Sequence, residues 1–334
     1  MSAVNVAAYC SGDFGPGKCK KHIQDVQQSG LTTIILWSMH LGRAGDVNPA
    51  GCQAIAGQSW GELVFNDGDI RIVDGDTFNP NNDPEVADWP HDLLQMKQNG
   101  SQVSKIFISI GGWRVCDFQT IEYMLEHDMQ DVLRRNFQTL REAFTIEGQC
   151  LIDGIDLDNE EPVKASTITV FSQMLFELGF EVTFCPYSNP AQWQGYMQTL
   201  WDKGYKVSWW NLQCYSGGAE NLDPDELDRW VDALSQVVGK GQGAAYIVAG
   251  LAVRGANDSN PQECPFGLGG VCESLASVGQ YSLTGGFLWK YDSVLSNAQP
   301  CSGVVPHMSD YTRAIREGLA KHDPARSDTA THMA

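Results

Sequence analysis

The chain lacks any run approaching the ~20 apolar residues of a membrane-spanning helix, and no membrane partner is expected. Basic residues are scarce: 22 Lys and Arg stand against 41 Asp and Glu among 334 residues, giving a formal net charge of -19 and a pI of about 4.6. That balance repels nucleic acid and anionic lipid, and it suits a neutral or cationic substrate. No CxxC pair and no paired histidines at ligand spacing occur, so no structural zinc is expected; no other metal and no cofactor are expected either. Charge is too sparse, at 19%, and aromatic content too high, at 10%, for a disordered chain. Internal repeats and interdomain linkers are missing too. The segment Met1–Ala8 has no basic start followed by an apolar stretch. Three fates stay open: the protein remains inside the cell, leaves without a cleaved leader, or has lost its leader. Cysteine is not lacking, with ten residues. Cys185 and Cys214 sit in apolar runs and read as buried thiols. Cys10 with Cys19, and Cys264 with Cys272, are candidates for loop-closing disulfides.

What is present is a rhythm. Eight short apolar runs recur: Val4–Tyr9, Thr33–Trp37, Lys105–Ile110, Leu151–Leu157, Glu181–Cys185, Val207–Cys214, Ala245–Val253 and Gly286–Trp289. Most are rich in Ile, Val, Phe or Trp, as buried parallel strands are. Helical patterns lie between them. Asp131–Phe144 repeats its apolar residues near a 3.6 period, as does Ser166–Leu178. Asp223-Pro224-Asp225-Glu226 opens another helix, with Pro first and acids in its first turn. Ser309–Lys321 closes the series. Strands alternating with helices predict an α/β protein, a single-domain (β/α)8 barrel. The barrel is expected over residues 1–322, with an elaborated loop at about 42–88 that holds a hairpin around Asn66-Asp67-Gly68. Residues 323–334 read as a polar tail.

The most informative stretch is Leu151-Ile152-Asp153-Gly154-Ile155-Asp156-Leu157-Asp158-Asn159-Glu160-Glu161-Pro162. Asp156, Asp158 and Glu160 alternate with other residues, and alternate residues of a strand share a face, ~6.6–7 Å apart. Ile155 and Leu157 then face the helix layer. Three carboxyl groups point into one space at the strand's C-terminal end, where barrel active sites lie. Crowded carboxylates raise one another's pKa, so at least one is expected to hold a proton and serve as a general acid. A solvated acidic loop is the bland alternative, and the alternating apolar residues speak against it. A magnesium site is a second alternative that these residues leave open.

The same stretch resembles the DxxDxDxE signature of glycoside hydrolase family eighteen, the chitinases and endo-β-N-acetylglucosaminidases; Asp153, Asp156, Asp158 and Glu160 fill its acidic positions. Ser109-Ile110-Gly111-Gly112-Trp113 is similar to the family's SxGG motif, Gln213-Cys214-Tyr215 to its QxY segment, and Gly285-Gly286-Phe287-Leu288-Trp289 to its last strand. The resemblance implies that Glu160 protonates the glycosidic oxygen while the substrate's own 2-acetamido group attacks the anomeric carbon, with retention of configuration. It implies that Asp158 holds the acetamido N–H, that Asp156 shares a proton with Asp158, and that Tyr215 holds the acetamido oxygen. Trp289 would floor the cleaved sugar's subsite. Gln213, Tyr9, Tyr187 and Trp113 are further substrate-binding candidates, with Trp60 as another exposed tryptophan that could stack on sugar. Ser109, Gly111, Gly112 and Asp153 are expected to support the site structurally. Glu161 is left out, because neighbouring strand residues face opposite ways.

The chain departs from the family at Asn159, at Ser216, and at Cys185-Pro186-Tyr187. Arg254–Thr284 is too short for the small α+β insertion domain that some members carry, since an independent domain needs ~50 residues. A shallow groove and internal cuts are therefore expected. The partner is chitin or another N-acetylglucosamine-containing oligosaccharide, and a monomer is expected. An endo-β-N-acetylglucosaminidase acting on N-glycans and a non-catalytic lectin on the same barrel are the rival readings.

Overall fold

The apolar runs become strands because each is covered on both faces, by helices outside and by side chains inside, a setting that β-branched residues fill well. The computed structural model describes residues 4–44, 59–66, 70–253, 268–278, 281–296 and 306–321. Eight strands run parallel: β1 (Asn5–Cys10), β2 (Thr33–Leu41), β3 (Lys105–Gly111), β4 (Gly154–Asp158), β5 (Glu181–Phe184), β6 (Trp210–Gln213), β7 (Ile247–Ala252) and β8 (Gly285–Trp289). Each pairs with the next, and β1 pairs with both β2 and β8, closing the ring. Helices follow the strands, so the chain is a single-domain (β/α)8 barrel. Two expected strands, β4 and β6, start three residues after their apolar runs begin. Before β4, Asp153 is tied sideways by Lys97 Nζ (2.6 Å) and Ile106 N (2.8 Å). Before β6, Ser208 N donates to Val182 O of β5 at 2.9 Å, a cross-strand bond just outside the strand proper.

Helix ends follow their local chemistry. The helix Pro224–Val238 has Pro in its first turn and Asp223 as N-cap, accepting from Asp225 N at 3.0 Å. Residues 42–88 hold more than a loop. Leu63–Phe65 adds antiparallel to β2, Ile70–Asp74 and Thr77–Phe78 extend it, and the helix Pro84–Met96 begins there. The expected hairpin is flanked by a paired strand on each side, while residues 67–69 lie outside the described residues. So do residues 254–267 and 322–334, and with them Cys264 and the tail at 323–334. Among its described residues, the β7–β8 connection carries one helix, Leu268–Val278, packed on Met308–Ala320.

Two disulfide expectations fail. Cys10, Cys19 and Cys272 are free thiols, so neither Cys10–Cys19 nor Cys264–Cys272 forms. Cys10 Sγ turns to Ala8 O (3.6 Å) and Cys19 Sγ to Asp92 Oδ2 (3.8 Å), away from each other. Cys116, which had no assigned partner, is disulfide-bonded.

The core has two parts. A large outer cluster, including Ile155 and Leu157, fills the space between strands and helices. A smaller inner cluster fills the barrel with Ala7, Tyr9, Ile35, Phe107, Trp209, Val248 and Phe287 among others. The large inner rings fit because small residues face them: a Cβ on Gly250 would stand 2.0 Å from Phe287 Cζ. Gly250→Ala is therefore expected to destabilise by about 1–3 kcal/mol through overpacking. Gly195→Ala, in the helix Pro190–Asp202 with nothing within 4 Å, should be neutral or stabilising. Paired thermal melts check this, and equal midpoints for the two variants would sink the packing argument.

Candidate active site

The strand β4 puts Asp156 and Asp158 inside the barrel and Ile155 and Leu157 outside, as its alternation dictates. Asp156 is fully buried, and four donors from four other strands fill its oxygens. Tyr9 Oη of β1 (2.7 Å) and Ser109 Oγ of β3 (2.8 Å) donate to Oδ2. Thr183 Oγ1 of β5 (2.7 Å) and Asn211 Nδ2 of β6 (2.9 Å) donate to Oδ1. Burial pushes the Asp156 carboxyl above the usual range, and these four bonds push it back. Asp158, one step nearer the mouth, accepts from Gln213 Nε2 (3.0 Å) and Trp37 Nε1 (3.4 Å). Burial first, then the charges of Glu160 and Asp156, hold Asp158 well above the usual carboxylate range. The push toward a neutral acid is therefore stronger at Asp158 than at Asp156, whose lone pairs are already occupied.

Beyond the ladder opens a hollow of about 460 Å³ lined by Asp158, Glu160, Trp37, Trp113, Tyr187 and Tyr215, with Gln213 and Trp289. Trp289 and Tyr215 stack at 6.2 Å with ring planes 17° apart, and Trp37 meets Trp289 edge-on at 4.9 Å. These rings form an apolar floor suited to the flat face of a sugar. Trp113 is 64% exposed at the rim, a setting open to a ligand. On its other side, Glu160 borders a more polar hollow of about 610 Å³ lined by Asn159, Tyr187, Ser188, Gln192, Trp193 and Lys164, among others.

Three expected substrate contacts look different in place. Tyr9 is buried under the ladder, with its hydroxyl spent on Asp156; it holds a carboxylate and does not face the hollow. Gln213 reaches the hollow but donates to Asp158 and to Cys185 O (3.3 Å). Trp60 stacks on Tyr123 at 4.6 Å and lines neither hollow. Among the supporting residues, Ser109 serves Asp156 directly. Gly111 and Gly112, at φ 103° and 113°, let β3 pass under the Asp158 carbonyl, which accepts from Gly112 N at 2.8 Å. A Cβ on Gly111 would stand 2.2 Å from that carbonyl oxygen. Asp153 braces the opposite end of β4. Sequence reasoning missed Trp37, Thr183 and Asn211. Their signal was a polar or aromatic residue at an inward-facing position of an otherwise apolar strand.

A second buried carboxyl lies beside the acid. Burial, then the charge of Asp117, raises Glu161 to about 8. Rising pH strips protons from the unfolded chain first, so the unfolded state binds fewer protons than the folded one and stability falls. For Glu161 that window runs from 4.5 to about 8. The thermal midpoint is expected to drop across it, by up to about 1.4 kcal/mol of stability per pH unit for a single group. Glu161→Gln should flatten this slope; a slope identical to wild type in pH-resolved melts would remove Glu161 as its source.

Among the described residues, no group of three or more His, Cys, Asp or Glu side chains is arranged to hold a metal ion. The donors around Asp156 present hydrogens where a cation needs lone pairs. What the arrangement can do is acid–base chemistry over an aromatic floor, in a barrel built for small-molecule sites at this end.

The comparisons define the fold more closely. No protein-family model matches the chain, and no curated protein sequence does. Solved structures do. The catalytic domain of a hyperthermophilic chitinase from Pyrococcus furiosus is similar over 96% of this chain and 97% of that one, with TM-score 0.61 and 13% identity. A chitinase from Chromobacterium violaceum matches over 95% and 99%, with TM-score 0.53 and 12% identity. A GH18 chitinase from Cycas revoluta in complex with (GlcNAc)3 matches over 93% and 100%, with TM-score 0.52 and 11% identity. The chain thus has the barrel fold of chitinase catalytic domains along nearly its whole length.

Proposed function

We propose that the chain is a glycoside hydrolase of family eighteen, an endo-acting chitinase that cleaves β-1,4 links between N-acetylglucosamine units with retention of configuration. One observation carries this reading: Asp158 and Glu160 line the same hollow as Tyr215 and Trp289. That places acids, a phenol and an apolar floor around a single sugar-sized space. The (GlcNAc)3 bound to the structural neighbour from Cycas revoluta supports the substrate class.

In the proposed reaction, the sugar to be cleaved lies on Trp289. Glu160 gives its proton to the glycosidic oxygen as the bond to the anomeric carbon breaks. The acetamido carbonyl oxygen of the same sugar attacks that carbon from the opposite face and forms an oxazolinium ring. Asp158 accepts a hydrogen bond from the acetamido N–H and stabilises the positive charge there. Tyr215 donates to the acetamido oxygen and keeps it in line. The Glu160 carboxylate then takes a proton from water, the water attacks the anomeric carbon, the ring reopens, and the product keeps its configuration. Asp156, held by its four donors, fixes the level of Asp158. Tyr187 borders both hollows and Trp113 stands at the rim, where each would touch neighbouring sugars. Hollows on both sides of Glu160 favour a chain that runs through, hence internal cuts.

The deciding experiment assays the protein on colloidal chitin, soluble chitooligosaccharides and a high-mannose glycoprotein. Turnover of chitin with internal cuts supports the proposal. Activity confined to the glycoprotein would make it an endo-β-N-acetylglucosaminidase, and binding without turnover on any substrate would make it a lectin. Tyr215→Phe is expected to lower kcat roughly 10–100-fold with little change in KM, since the lost bond orients the nucleophile.

A further inference from the structure

We infer that Glu161, the residue directly after the proposed acid, is a positioning residue: its carboxyl caps the helix Asp117–Glu126 that follows the adjacent strand β3 and thereby fixes where Glu160 stands. The inference rests on the hydrolase reading above.

The helix Asp117–Glu126 begins without a cap of its own. Cys116, at its N-cap, has the left-handed φ of 60° and makes no side-chain capping bond. A helix start of this kind leaves its first amides to be satisfied from elsewhere. Glu161 supplies one of those bonds: its Oε2 accepts from Gln119 N at 3.0 Å. Gln119 is the third helical residue, the position that an N-cap side chain ordinarily serves.

The cost of this arrangement argues that it is built for something. Glu161 is 8% exposed, and its Oε1 is buried without a hydrogen-bond partner. A buried, half-satisfied carboxyl costs stability. The helix itself gains from the bond, and so does the loop. Asn159 Oδ1 accepts from Glu161 N at 3.1 Å, so the turn that carries Glu160 is tied on both sides of the acid. This gives Asn159, one of the departures from the family pattern, a physical task.

The frame that receives the clamp is stiff. Cys116 is disulfide-bonded. Asp117 Oδ1 accepts from Leu41 N at 2.9 Å, and Asp117 Oδ2 lies 2.8 Å from His40 Nδ1. His40 Nε2 in turn meets Ser38 Oγ at 2.8 Å, and all three side chains are buried. Arg43 bonds Thr120 Oγ1 and Val115 O, each at 2.6 Å. The end of β2 and the first turn of the helix therefore act as one body. Glu161 fastens the acid's loop to that body. Since β2 also carries Trp37, which donates to Asp158, one frame sets the positions of both Asp158 and Glu160.

The test compares Glu161→Ala, Glu161→Asp and Glu161→Gln with wild type, each below its thermal midpoint. A soluble N-acetylglucosamine oligomer serves as substrate, and amide hydrogen exchange is followed over residues 154–163. The Ala variant removes the clamp. The Asp variant keeps a carboxyl group but is one methylene too short to reach Gln119 N. Both are expected to lose kcat roughly 10–100-fold with KM little changed, as misplacement of a reacting group does. Both should exchange faster over the acid's loop. The Gln variant, whose amide oxygen can still accept from Gln119 N, should recover most of the kcat and the protection. Unchanged kcat in the Ala and Asp variants, or a Gln variant as slow as Ala, overturns the inference. A wild type inactive on every substrate overturns the hydrolase reading instead; unaltered exchange in the Ala and Asp variants would then still refute the clamp.

Discussion

Glu160→Gln is expected to lower kcat on chitooligosaccharides by ~10²–10⁴-fold, the contribution of a positioned general acid. The substitution keeps the volume and most contacts of the side chain but removes the proton that the leaving oxygen needs. KM should change little, because the sugar still rests on Trp289 and still meets Asp158, both of which line the hollow with Glu160. Folding should not suffer. An ionised Glu160 raises the Asp158 carboxyl, second only to burial, and a neutral amide in its place adds no such repulsion to the ladder. The expected signature is thus a large fall in kcat, an unchanged KM and a thermal midpoint equal to or above wild type. A Gln variant with most of its activity would mean that another group protonates the leaving oxygen, and the proposed mechanism would be wrong.

Asp156 should produce the largest effect on stability. Four buried donors converge on its two oxygens: Tyr9 Oη, Ser109 Oγ, Thr183 Oγ1 and Asn211 Nδ2. Asp156→Ala deprives all four of their acceptor inside a filled barrel. Each buried donor left unpaired costs about 1–3 kcal/mol, so a loss of several kcal/mol is expected, with turnover abolished. Asp156→Asn should cost far less. Its carbonyl can face Thr183 and Asn211, and its amide can donate to the hydroxyls of Tyr9 and Ser109, which are able to turn and accept. Denaturant titration should therefore rank wild type above Asn, and Asn well above Ala. An Ala variant as stable as wild type would show that the four donors do not depend on this carboxyl.

The sequence pattern located the ladder because its information is local. A period of two on an apolar strand puts Asp156 and Asp158 on one face whatever surrounds them. The same pattern gave the strands of the barrel to within a few residues, since each run is a continuous apolar segment bounded by polar turns. Local reasoning fared worse where a partner comes from far along the chain. Tyr9 read as a sugar contact because nothing near it indicates that Asp156, 147 residues away, takes its hydroxyl. Cys10 and Cys19 read as a disulfide from proximity in sequence, yet their side chains turn to different partners.

Glu161 marks the boundary most clearly. Strand alternation excludes it from the ladder, but β4 ends at Asp158, so alternation does not extend to it, and Glu161 borders the larger hollow together with Glu160. Only the closed barrel reveals what its carboxyl meets: an uncapped helix start, held by His40 and Asp117. By itself, then, the sequence determined the barrel class, the acidic strand and the side on which Asp156 and Asp158 stand, because periodicity and apolar burial act between near neighbours. Tertiary structure alone decided which donors surround Asp156, which rings line the hollow and what anchors the acid's loop. Those contacts exist only once ring closure brings β1, β3, β5 and β6 around β4.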